Sequence, residues 1–238
     1  MITECIILAG GLGTRLQSVV ADVPKCMAPV AGKPFIHWVL ANLLQQKINK
    51  FIFSVGYLHH IIENYLTQTY PHLNIKYSLE SEPLGTGGAV KLALAQCTQN
   101  NVLIVNGDTL FEINNQALFN MHHTHNATCT IALKQMYRFD RYGTVTLNDA
   151  NQIISFQEKK MMDDGLINGG VYLLNREAFK KINFPSKFSL EKDFLEKKVG
   201  KVKIMGTINE GYFVDIGVPS DYKKADKEIK QKYNVAAK

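Results

Sequence analysis

The sequence predicts an α/β fold with a mixed, mainly parallel central sheet flanked by helices and added antiparallel strands. Three observations carry this. Through the first half, short apolar runs alternate with stretches of helical apolar spacing. From residue 127 onward, strand-like runs follow one another with only turn residues between them. A chain of 238 residues, 46% hydrophobic and 20% charged, is also long and apolar enough for one well-buried core.

In order, CIILA (5–9) reads as a buried strand, FIHWVLANLLQQ (35–46) as a helix and FIFSV (51–55) as a strand. HHIIENYLTQ (59–68) is the next helix and NIKYSL (74–79) the next strand. TGGAVKLALAQ (86–96) is a helix opening on glycines, and NVLIVNGD (101–108) a strand ending in an acid. A β-α-β-α-β-α-β order calls for parallel strands joined by helices, with ligands at the strands' carboxyl ends. ATCTIAL (127–133), GTVTL (143–147), QIISFQEK (152–159) and GGVYLL (169–174) are further strands. SLEKDFLEKK (189–198) is a helix, and KVKIM (201–205) and YFVDI (212–216) are short strands. No linker, repeat or low-complexity tract interrupts them, which predicts a single domain over 1–238.

The net charge is +6, but much of the excess lies in DYKKADKEIKQKYNVAAK, where lysines alternate with acids and apolar residues. That is the solvated face of a terminal helix, so nucleic acid is not an expected partner. No apolar run approaches the ~18 residues of a membrane span, and the start lacks a signal-like leader, so a cytoplasmic location without membrane attachment is expected. Cys5, Cys26, Cys97 and Cys129 show no C-x-x-C spacing and read as reduced, buried thiols. In MHHTHN, His122 and His125 would share a helix face without a third ligand, which favours a polar helix end over a metal site. His59 and His60 open a helix and carry no further signal.

LAGGLGTRL (8–16) is a turn suited to phosphate, because glycines let backbone N–H groups approach an anion closely. A Walker loop would need lysine after the last glycine, but Thr14 and Arg15 follow Gly13. A dinucleotide fingerprint would need a third glycine where Leu16 stands, and an acid that FIFSVGY does not offer. What remains is Gly10, Gly11 and Gly13 with Arg15 and Lys25, two fixed cations that match the phosphates of a nucleoside triphosphate.

LAGGLGTRL, PKCMAPVAGKP, EPLGTGGAV, NGD, FQEK, LINGGVY and FVDIG occur in the order found in sugar-1-phosphate nucleotidyltransferases, and the chain resembles that family from its first strand to about residue 225. FSLEKDFLE and the short C-terminus resemble its guanylyltransferase branch acting on heptose 1-phosphates. The resemblance implies a Rossmann-like, GT-A-like fold with a nucleotide-binding half (1–127), a sugar-binding half (128–225) and a C-terminal helix (219–238). It implies transfer of GMP from GTP to a sugar 1-phosphate, with release of pyrophosphate, toward a capsule or lipopolysaccharide; a homo-oligomer is compatible with it.

Residue by residue, the resemblance puts the nucleotide on Leu8, Ala9, Gly10, Gly11, Gly13, Thr14, Arg15, Lys25, Glu80, Gly85, Thr86 and Asp108. Arg15, Lys25 and Asp108 would carry catalysis, and Asp108 and Asp215 would hold Mg²⁺. Gly143, Glu158, Lys159, Asn168, Gly169 and Lys192 would take the sugar phosphate. No general base is needed, because a sugar phosphate with a second pKa of about 6 is already mostly a dianion at neutral pH. Catalysis then rests on in-line positioning and charge neutralisation. At Glu80 a carboxylate can accept from guanine's adjacent N–H donors, although a solvent-facing acid is the competing reading. A mannose 1-phosphate guanylyltransferase, a cytidylyl- or uridylyltransferase, and a non-catalytic sugar-nucleotide-binding subunit remain open. A glycosyltransferase would commonly show D-x-D, which NGDT lacks.

Overall fold

A computed structural model describes residues 2–11, 16, 20, 22–157 and 161–234. In chain order they form β1 (Glu4–Leu8), β2 (Pro29–Val30), β3 (Lys33–Pro34), α1 (Phe35–Gln45), β4 (Lys50–Val55), α2 (His59–Thr69), β5 (Asn74–Leu79), α3 (Gly85–Leu94) and β6 (Asn101–Asn106). There follow β7 (Thr109–Phe111), α4 (Asn115–Thr124), β8 (Cys129–Phe139), β9 (Thr144–Leu147), β10 (Ile153–Gln157), β11 (Met162–Asn175) and α5 (Arg176–Lys180). The last elements are β12 (Ile204–Ile208), β13 (Phe213–Asp215) and α6 (Pro219–Lys232).

Four parallel strands, in the order β5-β4-β1-β6, form one side of a mixed sheet. β11 joins β6 antiparallel, β8 lies antiparallel along β11, and β12 is parallel to β8. The β9–β10 hairpin branches from β11 at Leu166 and Ile167. β1, β4 and β6 read as nearly continuous apolar runs because both their faces are covered, whereas β5, at the edge, is largely exposed or half-buried. In β1, Cys5 and Ile7 point into the core shared with α1, while Ile6 points into the opposite core with Val90, Phe179 and Phe194.

Three sequence expectations change. β8 and β11 extend well beyond 127–133 and 169–174, because residues 134–139 and 162–168 pair as a ribbon with much of its surface exposed. With only Phe139 and Ile167 buried along it, this ribbon lacks the apolar alternation that marks a half-buried strand. The strand expected at 201–205 lies at Ile204–Ile208, set by pairing with β8. His122 is not at a polar helix end: it is 2% exposed, its Nδ1 lies 2.9 Å from Thr130 Oγ1, and burial lowers its pKa to about 4, with His123 adding to the effect.

The four cysteines are free and buried, as expected. Lysines of α6 pair with acids, Lys230 with Asp226 at 2.6 Å and Lys232 with Glu112 at 3.0 Å. Among the described residues, no helix is long and apolar enough to cross a membrane.

Glu4 anchors the sheet edge opposite the strands' carboxyl ends. It is 2% exposed and accepts from Thr98 N and Oγ1 and from Gln99 N, the last at 2.6 Å. Burial alone would raise its pKa, but these hydrogen bonds, helped by Lys50, outweigh burial and lower it. The sign follows: a carboxylate with a depressed folded-state pKa contributes stability above its unfolded-state pKa and loses it as the pH falls through the folded-state value. Glu4→Ala is expected to destabilise the fold by about 2–3 kcal/mol at pH 7, by stranding buried donors. The difference from wild type should shrink below pH 4; urea unfolding across pH 3–7 measures both, and a gap independent of pH would reject the ionised role.

Candidate active site

Chain order reverses between β1 and β6, so the segments leaving these strands diverge and open a crevice at their carboxyl ends. Gly107 N donates to Leu8 O at 2.9 Å and fastens the two strand ends together. Two cavities open here. One of about 540 Å³ is lined by Leu8, Gly10, Gly11, Glu80, Gly85 and Thr86. The other, of about 460 Å³, is lined by Lys25, Asp108, Gly143, Asn168, Gly169, Lys192 and Asp215. Thr86 lines both.

The first cavity is built from backbone at close quarters. Ala9 N donates to Ser54 O at 2.8 Å and Glu80 N to Val55 O at 2.9 Å, which sets the loops after β1 and β5 side by side. A Cβ at Gly10 would lie 2.8 Å from Glu80 Oε1, so only glycine leaves that carboxylate room. Glu80 is not a solvent-facing acid: Oε2 accepts from Leu84 N at 3.0 Å and Oε1 from Ser54 Oγ at 3.4 Å. Gly85 has φ +74°, and a Cβ there would lie 2.6 Å from Phe188 O, which explains the glycine that opens α3. His59, given no role in the sequence reading, also lines this cavity, with Nδ1 2.9 Å from Glu63 Oε1. Gly13, Thr14, Arg15, Glu158 and Lys159 lie outside the described residues.

In the second cavity Lys25, Asp108 and Asp215 meet, although the two acids are 107 positions apart. A three-residue ladder does this. β7 pairs antiparallel with β13, Thr109 facing Asp215, and Ile216 N donates to Asp108 O at 3.1 Å. Lys25, from a 3₁₀ turn at Lys25–Met27, is ion-paired with Asp108, and its Nζ is 3.8 Å from Asp215 Oδ1. Burial, then the charge of Asp108, raises the pKa of Asp215, against Lys25, the Gly217 N–H and Arg141. Two crowded carboxylates are a hard-oxygen donor pair for a divalent cation. Among the described residues no group of three or more His, Cys, Asp or Glu could hold a metal, and a cation on this pair leaves room for water or substrate oxygens.

Asn168 Oδ1 accepts from Gly170 N at 3.0 Å and Nδ2 donates to Tyr172 Oη at 2.9 Å, which locks the amide and leaves one N–H for a ligand. Lys192 is exposed, and its acidic neighbours are engaged elsewhere: Asp193 bonds Lys197, while Glu191 Oε2 accepts from Thr86 Oγ1 at 2.6 Å and Ser189 Oγ at 2.9 Å. The Thr86–Glu191 bond ties the first cavity to the wall of the second. Leu190–Glu196 is a π-helix, not the α-helix expected, a form frequent at functional sites. Sequence reasoning also missed Arg141, Tyr142 and Glu191 as lining residues. The R-Y-G run before GTVTL was the available signal for the first two.

Residues 4–232 match the family model for nucleotidyl transferase. A D-glycero-alpha-D-manno-heptose 1-phosphate guanylyltransferase of Aneurinibacillus thermoaerophilus is 49% identical over 95% of this chain and 98% of its own. The enzyme of that name from Campylobacter jejuni is 44% identical over 92% and 96%. A crystal structure of HddC from Yersinia pseudotuberculosis complexed with GMP-PN superposes with a TM-score of 0.85 at 32% identity, covering 96% of this chain and all of that one.

Proposed function

The chain belongs to the nucleotidyl transferase family, and we propose that it transfers GMP from GTP to D-glycero-α-D-manno-heptose 1-phosphate, releasing pyrophosphate. The observation that carries this reading is the pair of cavities sharing Thr86, with Lys25, Asp108 and Asp215 in the second. The first cavity takes the nucleotide, with guanine against Glu80. The second takes the sugar 1-phosphate, whose oxygen attacks the α-phosphorus. Lys25, together with Arg15, neutralises charge that builds at that phosphorus. Asp108 and Asp215 hold Mg²⁺, which supplies Lewis-acid stabilisation of phosphoryl oxygens when bound. The product is an activated heptose for a surface polysaccharide, made in the cytoplasm where GTP is available.

Pyrophosphate release from a panel of GTP, CTP and UTP against heptose, mannose and glucose 1-phosphates tests the reading. GTP with heptose 1-phosphate should give the highest kcat/KM. Turnover with no pair, or a preference for another sugar, rejects it.

The base assignment has its own test. Guanine presents adjacent N–H donors, and Glu80 keeps free lone pairs beside its bonds to Leu84 and Ser54. Hydrogen bonds to a charged group are worth about 1.5–3 kcal/mol, so Glu80→Gln should raise the KM for GTP about 10–100-fold and erode the preference over CTP and UTP. An unchanged preference in competition assays would remove Glu80 from base recognition.

A further inference from the structure

Arg141 lies between β8 and β9 and lines the second cavity with Lys25, Asp108 and Asp215. One terminal nitrogen, Nη2, is ion-paired with Asp221 in the first turn of α6 and lies 3.3 Å from Tyr142 Oη. The Tyr142 ring lies 5.4 Å below the guanidinium carbon and covers one face. Nε and Nη1 have no hydrogen-bond partner among the described residues. The group is 37% exposed, so these donors can be reached from solvent.

The charge inventory says why this matters. The cavity is lined by Asp108, Asp215, Glu191 and Glu196 against Lys25, Arg141 and Lys192. Lys25 is committed to Asp108 and Asp215, and Lys192 is on the exposed surface. Among the described residues, a dianionic phosphate entering this space meets more carboxylates than free cations. Arg141 is the cation there whose charge is oriented by packing and whose donor edge is unspent. A guanidinium fork matches two phosphate oxygens at once, which a lysine cannot do.

We infer that Arg141 is a binding residue for the phosphate of the sugar 1-phosphate, and that Asp221 is a positioning residue that holds its guanidinium toward the cavity. The inference rests on the nucleotidyltransferase reading and adds to it a residue and a role for the C-terminal helix. The competing role is structural: Arg141 as a strap between the β8–β9 turn and α6.

Steady-state kinetics of wild type, Arg141→Ala, Arg141→Lys, Asp221→Asn and the Arg141→Ala/Asp221→Asn double variant separate the two. Losing charge-assisted hydrogen bonds of ordinary strength, Arg141→Ala should raise the KM for heptose 1-phosphate about 10–100-fold, with the KM for GTP within about twofold. Arg141→Lys should recover only part of the loss, since it restores charge but not the fork. Asp221→Asn should raise the same KM about 3–10-fold alone and add nothing to Arg141→Ala, because coupled residues are non-additive. In parallel, heptose 1-phosphate should raise the Tm of wild type and fail to raise that of Arg141→Ala.

An unchanged KM for the sugar phosphate, equal rises for both substrates, or a further loss in the double variant would overturn the inference. If wild type is active on GTP and heptose 1-phosphate while any of these occurs, only the role of Arg141 falls. If wild type turns over no pair in the substrate panel, the functional reading falls first and this inference with it.

Discussion

Lys25→Ala should lower kcat by about 10²–10³-fold, the loss that follows removal of one preorganised charge from a developing oxyanion. The KM for GTP should stay within about threefold, because an interaction made chiefly in the transition state leaves ground-state binding alone. The geometry supports the split. Lys25 is largely buried, its side chain 13% exposed, and it is held on both sides by Asp108 and Asp215. It does not line the first cavity, the one proposed for the base. A charge fixed before substrate arrives requires no reorganisation as the α-phosphorus gains negative character. Single-turnover rates with saturating GTP measure the chemical step directly. Intact turnover with weakened GTP binding would make Lys25 an anchor for the triphosphate and not a transition-state group.

Asp108→Asn should cost about as much at limiting Mg²⁺, roughly 10²–10³-fold in turnover, because a cation that stabilises a phosphoryl transition state is worth several kcal/mol. The substitution keeps the side chain's shape and removes its charge. Asp108 sits on the backbone that receives Ile216 N, so it shares a frame with Asp215, and the two carboxylates are spaced by the ladder and not by chance. With one charge gone, Mg²⁺ should be held more weakly, and the Mg²⁺ midpoint of activity should move up about tenfold or more. A Mg²⁺ titration at fixed GTP reads this. Wild-type rates at limiting Mg²⁺ would remove Asp108 from metal binding.

What the sequence made legible follows from the physics of each element. β1, β4 and β6 announce themselves because parallel strands covered on both faces are unbroken apolar runs. The motifs LAGGLGTRL, PKCMAP and EPLGTGG stand next to such strands, so their place at one end of the sheet was readable. The meeting of Asp108 with Asp215 was implied by the family resemblance alone, because β7 and β13, which bring them together, are three residues each and carry no periodicity. The β8–β11 ribbon escaped because its buried positions, Phe139 and Ile167, stand alone among half-buried and exposed ones. His122 misled because a polar residue type was read as a polar location, whereas Thr130 lies across from it to accept or donate. For Arg141 the R-Y-G run was a local signal only, and its pairing with Asp221, 80 positions away, was not readable from it.

β11 is 14 residues long and therefore spans roughly 45 Å in one piece. Its second part, Val171–Asn175, is bonded to β6, whose end leads to Asp108, and its earlier residues Asn168 and Gly169 wall the second cavity, proposed for the sugar. A register shift between Asn168 and Tyr172 bends the ladder at the point where the strand passes the cavity. The two cavities proposed for the substrates thus stand on one continuous sheet. That sheet is common to both walls of the site. Any tightening around the substrates falls to the segments at the strand ends, and a new sugar would have to be fitted by reshaping those segments or the cavity wall.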